Sequence, residues 1–306
     1  MIIPTKSLIK KVKKLLADPT VIPLIFIPKH LLSDRNFIRY KYLRRNGLKL
    51  NLNKPVSFND KLHWLNLYYR IDENRSLVDK YQVRKFIAQT IGEEYLIPIY
   101  GAWEKFDDIP FKDLPNEFVL KCNHDSGSTT ICKDKKSFDF EKARIFFNKR
   151  MEKDFYTNKR EYYYKGIKPL IMAQKLIIDE SGLYLKDYKI FCFNGVPKIV
   201  EVDLDLRNVH KRSFFTTQWE FMPVKNEKPN ASLELMPKPE NLETMLNLAR
   251  QLSASKCFVR TDFFSAYGKI YFGELTFLHC AGYSLFDPPE WNTILGEWLT
   301  LPCLNT

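Results

Sequence analysis

A chain of 306 residues, 45% hydrophobic and 14% aromatic, carries enough apolar material for one large core or two lobes, which excludes an intrinsically disordered protein. Lysine and arginine total 48 against 36 aspartates and glutamates, a net charge of +12 that favours anionic partners such as a nucleotide, an acidic glycan or the inner membrane surface, unless the lysines merely keep the protein soluble. With no RNP-type aromatic signature and no Cys/His finger, nucleic acid is not the expected partner.

The N-terminus interleaves Lys6, Lys10, Lys11, Lys13 and Lys14 with Leu8, Ile9, Val12, Leu15 and Leu16. Two readings stand: a helix packed by its apolar side, or one lying on an anionic membrane surface. The stretch 21–32 is apolar but interrupted by Pro23, Pro28 and Lys29, too short to span a bilayer. The first residues also lack the apolar core and small-residue cleavage site of a signal peptide. Residues 1–56 are therefore expected to form a basic helical segment of a cytoplasmic protein, with peripheral contact at the inner membrane face as the second reading. The six cysteines form no Cys-x-x-Cys pair and read as small, reduced side chains.

Ser57 followed by Asp60 signals a helix start, with Leu62, Leu65 and Tyr69 at helical spacing. Ser76 and Asp79 repeat the signal ahead of Val83, Phe86 and Ile87, with a stop at Gly92. From about residue 95 strands are expected: 117–122 and 129–132 around a small polar turn at 123–128, then 170–178, 184–193 and 196–205. Asn194-Gly195 joins the last two as a tight hairpin. Helices are expected from Asp139 to about 153 and over 239–253, and a closing hairpin over 257–264 and 269–277 around Tyr267-Gly268. The class is α+β, with antiparallel hairpins dominating the last two-thirds.

That closing hairpin carries the most chemistry. Residues two apart on a strand share a face, so Arg260 projects with Asp262, and Glu274 with Thr276. Two carboxylates beside a hydroxyl suit Mg²⁺, which takes one or two carboxylates and completes its shell with phosphate and water; an exposed salt bridge is the alternative. Without an ion, the two carboxylates would repel each other. Lys121 at a strand end, followed by Ser126, Gly127 and Ser128, offers a charge and backbone N–H groups to phosphate. Asp187 and Lys189 share a strand face, and Arg207 and Arg212 flank His210 in a cluster that is either a triphosphate or acidic-acceptor site or a solvated loop. Asp203-Leu-Asp205 supports a rival: the Asp-x-Asp metal clasp of a glycosyltransferase.

Together Asp79-Lys-Tyr81, Leu114-Pro115, Phe118-Val-Leu-Lys-Cys-Asn-His124, Asp187-Tyr-Lys-Ile-Phe-Cys-Phe-Asn-Gly195, Val259-Arg-Thr-Asp-Phe263 and Tyr271-Phe-Gly-Glu-Leu-Thr-Phe277 resemble the ATP-grasp superfamily. The resemblance is specifically to its TupA-like branch, linked to teichuronopeptide and surface-polysaccharide synthesis, over residues 57–302. It implies a catalytic domain over 57–306 in which two α+β lobes clamp ATP, preceded by the helical N-terminal region. It assigns Lys121 to the nucleotide phosphates under the turn of Ser126, Gly127 and Ser128, with Lys80 and Lys189 in the same nucleotide-binding set. Gln174 to Ile177 resembles the hinge that meets adenine, and Asp187 the acidic residue on the ribose. Asp262 and Glu274 resemble the metal ligands, Thr276 takes the third ligand position, and Arg260 resembles the arginine near the transferred phosphate, while Arg207 and Arg212 stay catalytic candidates from the basic cluster alone. Thr276 stands where amino-acid ligases often have Asn, Gln174 where relatives often have Glu, and the N-terminal third lacks the usual βαβ pattern. The implied activity is an ATP- and Mg²⁺-dependent carboxylate–amine ligase acting on an acidic sugar or amino acid, for instance joining an amino acid to a uronate. A kinase sharing the same ATP half is its near alternative.

Overall fold

The computed structural model describes residues 17–180, 185–206 and 209–303. The basic stretch 6–16 and Arg207 lie outside these.

Short 3₁₀ turns at Pro19–Phe26 and Lys29–Leu31 replace a continuous helix where the prolines fall. Helix α1 (Asp34–Asn46) is capped by Ser33, whose side chain accepts from the Asn36 amide, and closes on Gly47 at φ 72°. Ile38, Tyr42 and Leu43 bury against Val21 and Leu50, and also against Ala281 and Tyr283 from the far end of the chain. Helix α2 (Phe58–Tyr68) begins with the expected box: Ser57 accepts from the Asp60 amide, and Asp60 accepts from the Ser57 amide. The second start signal is corrected. Ser76 lies inside α3 (Glu73–Val78) and bonds back to the Glu73 carbonyl, while Asp79 ends α3 and accepts from the amides of Tyr81 and Gln82 ahead of α4 (Val83–Thr90).

The smaller sheet holds β1 (Ile99–Trp103), β2 (Phe118–Cys122), β3 (Thr130–Cys132) and β4 (Ile171–Gln174), all antiparallel in the order β1-β4-β2-β3. Helix α5 (Phe140–Met151) starts at Asp139, whose side chain accepts from the Lys142 amide, and lays Ala143 and Phe147 on Phe118 and Leu120. A short α6 (Phe155–Lys159) follows.

The larger sheet holds β5 (Asp187–Phe193), β6 (Val196–Leu206), β7 (Val209–Thr216), β8 (Phe221–Met222), β9 (Phe258–Ala266) and β10 (Lys269–Thr276) in the order β10-β9-β5-β6-β7-β8. Both expected tight turns form, with Asn194 and Gly195 at φ 49° and 81°, and Tyr267 and Gly268 at 51° and 70°. One face carries Ile190, Val200, Val202, Val259 and Phe263 and is covered by α7 (Leu242–Ser253) through Met245, Ala249 and Leu252. The other face is aromatic at one end, where Phe191, Phe193 and Phe214 meet α2 and α8 (Trp291–Trp298), and charged at the other. Strand β7 corrects the loop reading of the Arg212 region: pairing with β6 takes that segment into the sheet. Among the described residues no helix is long and apolar enough to cross a membrane.

Candidate active site

The charged end of the larger sheet is a product of register. Glu274, Asp262, Lys189 and Glu201 are successive cross-strand partners on β10, β9, β5 and β6, and Asp187, Asp203 and Arg212 form the next row across β5, β6 and β7. Alternation along each strand puts these groups on one face and the core residues on the other. On β10 the alternation must be shifted, since Phe272 pairs with Phe263 on the apolar side and Glu274 with Asp262 on the charged side. A bulge at Gly273 makes the shift. A Cβ there would lie 3.1 Å from the Asp262 carbonyl and 3.2 Å from the Phe264 ring, so the position favours glycine.

Arg260 is the hub. Its Nε and Nη2 donate to the two oxygens of Asp262 at 2.7 and 2.6 Å, and Nη2 reaches Glu274 Oε1 and Thr276 Oγ1 at 3.2 Å each. The expected repulsion between Asp262 and Glu274 is thereby corrected, because one guanidinium bridges both. Nη1 lies 3.1 Å from Nδ1 of buried His279, whose Nε2 faces Asn226 Oδ1 at 3.1 Å. Burial, with Arg260 beside it, holds His279 well below the usual imidazole range, so the neutral ring accepts from Arg260 and donates to Asn226. Arg212 donates bidentately to Asp203 at 2.7 and 2.8 Å, sits 3.0 Å from Glu201 and reaches Asn226, which links the two arginines. Lys189 pairs with Asp187 and stands 3.4 Å from Asp203 and 3.7 Å from Asp262. Burial opposes the Lys189 charge, yet Asp187 and Asp262 hold it protonated.

The α3–α4 junction, packed on the larger sheet, and the smaller lobe together cover this face. Lys80 Nζ donates to the Asp125 carbonyl and lies 3.8 Å from Glu274 Oε2. Burial alone would raise the Glu274 carboxyl, but Lys80, Arg260 and Lys189 hold it down at about 2. Lys121 on β2 projects into the same space, its ammonium pushed down to about 7 by burial and by Lys80. Between the lobes lies a cavity of about 530 Å³ lined by Lys80, Lys121, Ser126 and Gly127 on one side. Asp187, Lys189, Arg260, Asp262, Glu274 and Thr276 line the other, with Asp203 and Arg212 beside them.

Several expected residues fall elsewhere. Ser128 is buried and turned inward: its Oγ accepts from the Cys122 amide at 2.9 Å and donates to Asp125, a fold-holding task rather than a phosphate contact. The turn itself is pinned, because Arg150 on α5 donates to Asp125 at 2.6 Å and to the Ser126 carbonyl at 2.6 Å. Gln174 is buried at the end of β4 between Ile99 and Val119, and Ile177 sits half-buried in the irregular connector beyond it; neither lines this cavity. Asp203, expected only as half of a metal clasp, lines the cavity with both carboxylate oxygens held by Arg212, as Arg260 holds those of Asp262. His279 and Asn226 are missed altogether by the sequence reading, and Glu201 is not assigned to the site. The alternation of Glu201 with Asp203 and Asp205 on one strand was a visible signal of a polar face, whereas nothing in the sequence marks His279.

A family model for TupA-like ATP-grasp proteins matches residues 60–300. The chain belongs to the TupA-like ATP-grasp family. Membership makes it an ATP-grasp enzyme, and its two antiparallel lobes are the ATP-grasp fold. No curated protein matches it in sequence. Among solved structures it is similar to the D-alanine–D-alanine ligase from Bacillus anthracis complexed with ATP, at 12% identity over 97% of this chain and 92% of that one, with a TM-score of 0.45. Another structure of that ligase aligns at 15% identity over 73% of this chain and 66% of its own length, with a TM-score of 0.39. A RimK domain ATP-grasp protein from Sphaerobacter thermophilus aligns at 9% identity over 76% and 70%, with a TM-score of 0.40.

The ATP-grasp cavity has the donors that a nucleotide and a hard cation need. Buried Asp187 Oδ1 has no hydrogen-bond partner and fits a hydroxyl donor such as a ribose. Lys121 from the smaller lobe and Lys80 beside Glu274 line the same cavity and supply cations that a polyphosphate would require. Among the described residues no three His, Cys, Asp or Glu side chains form a protein-only metal cage. Two facing carboxylates and a hydroxyl match a Mg²⁺ that draws its remaining ligands from phosphate and water.

Proposed function

We propose that this ATP-grasp enzyme is a carboxylate–amine ligase that takes ATP with Mg²⁺ and modifies an acidic sugar of a cell-surface polysaccharide or its precursor. The observation that carries the reading is the facing Asp262–Glu274 pair, bridged by Arg260, with Lys80 3.8 Å from Glu274.

A carboxylate is a poor acyl donor because oxide is a poor leaving group. An oxygen of the acceptor carboxylate attacks the γ-phosphorus of ATP, and the bond to the bridging β–γ oxygen breaks, which gives an acyl phosphate and ADP. The amine nitrogen then attacks the acyl carbon, the C–O bond to phosphate breaks, and inorganic phosphate and one proton leave as the amide forms. Lys121 and Lys80 place the phosphates, and Arg260 offsets charge that grows on the phosphoryl oxygens during transfer. Mg²⁺ held by Asp262 and Glu274, with Thr276 in the third position, would neutralise further charge on that group. Closure of the lobes on the nucleotide would exclude water, which would otherwise hydrolyse the acyl phosphate. Asp187 would receive the ribose and the Gln174 to Ile177 connector the adenine, once the lobes move onto the nucleotide.

The polysaccharide setting rests on the resemblance to the TupA-like branch, and the net charge of +12 supports an anionic acceptor. The test is mass spectrometry of products formed from ATP, a panel of uronates and a panel of amino acids. An amide of uronate and amino acid supports the ligase, while a phosphorylated sugar without amide moves the assignment to a kinase.

A further inference from the structure

The segment 19–32, ahead of α1, sends its apolar side chains two ways. Val21, Leu24 and Leu32 are buried in one cluster with Ile38, Tyr42 and Leu43 of α1. Ile22, Phe26, Ile27 and Leu31 are 36%, 84%, 39% and 67% exposed, and Phe26 is the most exposed large apolar side chain among the described residues. Pro23 and Pro28 break the segment into short 3₁₀ turns, so no helical stripe can gather all of these side chains against α1. The segment is nevertheless held in place. The Val21 amide donates to the Asp18 carbonyl at 3.0 Å, the Leu31 amide to that of Pro28 at 2.9 Å, and Arg160 to the Lys29 carbonyl at 3.3 Å.

Charge around these side chains has one sign. Lys29 and His30 stand exposed between Ile27 and Leu31. The first 33 residues hold Lys6, Lys10, Lys11, Lys13, Lys14 and Lys29 against one acid, Asp18, which is buried and taken up by Arg39 at 2.7 Å. A second copy of the chain would bring these lysines against its own, a repulsion that disfavours a self-complementary contact here. An anionic lipid surface answers both features, since the acyl boundary receives the apolar side chains while headgroups meet the cations. The family match begins at residue 60, so the segment lies outside the matched region.

We propose that residues 22–31 form a docking surface for an anionic bilayer, with Phe26 and Leu31 entering the boundary between headgroups and acyl chains and Lys29 meeting lipid phosphates. The contact is peripheral, because no helix among the described residues is long and apolar enough to cross a membrane. The segment packs on α1, and α1 gives Lys41 and Arg45 to the wall of the nucleotide cavity, so one helix separates the docking surface from the active site. The assignment does not depend on the ligase reading: it concerns where the enzyme works, not what it joins.

The experiment is co-sedimentation of the full chain with vesicles of phosphatidylcholine alone and of phosphatidylcholine and phosphatidylglycerol in equal parts. It is repeated on a Phe26→Ser, Leu31→Ser double variant and on Ile145→Ser, which removes a similarly exposed apolar side chain from α5. Neither Phe26 nor Leu31 lines the nucleotide cavity, so an unchanged ATP-induced melting shift shows that the double variant is folded. The mixed vesicles should bind at least about tenfold more tightly than the neutral ones, and added salt should weaken that binding. The double variant should lose about tenfold or more of it, while Ile145→Ser keeps it. Binding that survives the double substitution places the contact elsewhere, the stretch 6–16 included, and overturns the surface. Equal binding to neutral vesicles, or none to either kind, overturns it too. Light scattering without lipid tests the other occupant: a dimer that the double substitution breaks would show a contact between copies and overturn the bilayer assignment.

Discussion

The two faces of the six-stranded sheet are built from the same strands and obey different rules. On one, Ile190, Val202, Val259 and Phe263 meet Met245, Ala249 and Leu252 of α7, and shape and volume are all that matters. On the other, Lys189, Glu201, Arg260 and Asp262 are just as buried, but each persists only through its partners. A core tolerates any neighbour of the right size. A buried charge tolerates only a matched one, and its leftover capacity, such as the unpartnered Asp187 Oδ1, points to a ligand.

The largest separation between the faces is expected at Arg260. Arg260→Ala leaves Asp262 and Glu274 facing each other without their bridge, so unfolding in urea should show a loss of roughly 3–5 kcal/mol. ATP turnover should fall by about a thousandfold or more. A stable, active Arg260→Ala protein would mean the hub is decorative.

Leu252→Ala, on the opposite face, should cost about 2–5 kcal/mol by leaving a cavity under α7. Its ATP affinity, measured well below the melting temperature, should be unchanged. An affinity loss comparable to that of a site variant would erase the distinction between the faces.

Asp262→Asn and Glu274→Gln should each lower turnover by about a hundredfold, because the transferred phosphoryl group loses a positioned counter-charge system. Their stabilities should diverge. Asp262 fills the Arg260 fork with both oxygens, whereas Glu274 shares it at 3.2 Å, so thermal melts should show the larger drop for Asp262→Asn. Below pH 4.5 the difference for Glu274→Gln should shrink. The native carboxyl is held at about 2, so its stabilisation is present above the unfolded value and is lost as pH falls through the folded one.

Much of this was legible beforehand. Ser57 with Asp60, and Asn194-Gly195, specify local geometry through their own hydrogen bonds and backbone angles, so they read correctly from sequence. The pairing of Arg260 with Asp262 and of Glu274 with Thr276 followed from strand alternation. Register did not. The Gly273 bulge and the Glu274–Asp262–Lys189–Glu201 row depend on pairings between segments far apart in the chain, which no local pattern encodes. Ser128 and Ser76 carried the right residue type for their expected roles, but each found a nearer backbone partner. Arg212 belongs to a strand because β6 was available to pair with it.

The smallest effect concerns Lys121, the charged face's counterpart on the smaller lobe. With its ammonium at about 7 in the free protein, ATP binding at pH 8 should take up about one proton, and at pH 6 almost none. Calorimetry in two buffers of different ionisation enthalpy reads this directly. Lys121→Met should abolish the uptake and weaken ATP by about tenfold. Uptake that persists in the variant would place the titrating group elsewhere.

Whether phosphoryl transfer to a carboxylate takes place on the charged face is decided by isotope transfer. A uronate oligosaccharide labelled with ¹⁸O in its carboxylates is incubated with the enzyme, ATP, Mg²⁺ and an amino acid, and the released phosphate is examined by mass spectrometry. Passage through an acyl phosphate leaves one carboxylate oxygen on the phosphate, so labelled phosphate should accumulate in step with amide. Amide formed with unlabelled phosphate, or ATP consumed with no label moving, would contradict the ligase chemistry assigned to Asp262, Glu274 and Arg260.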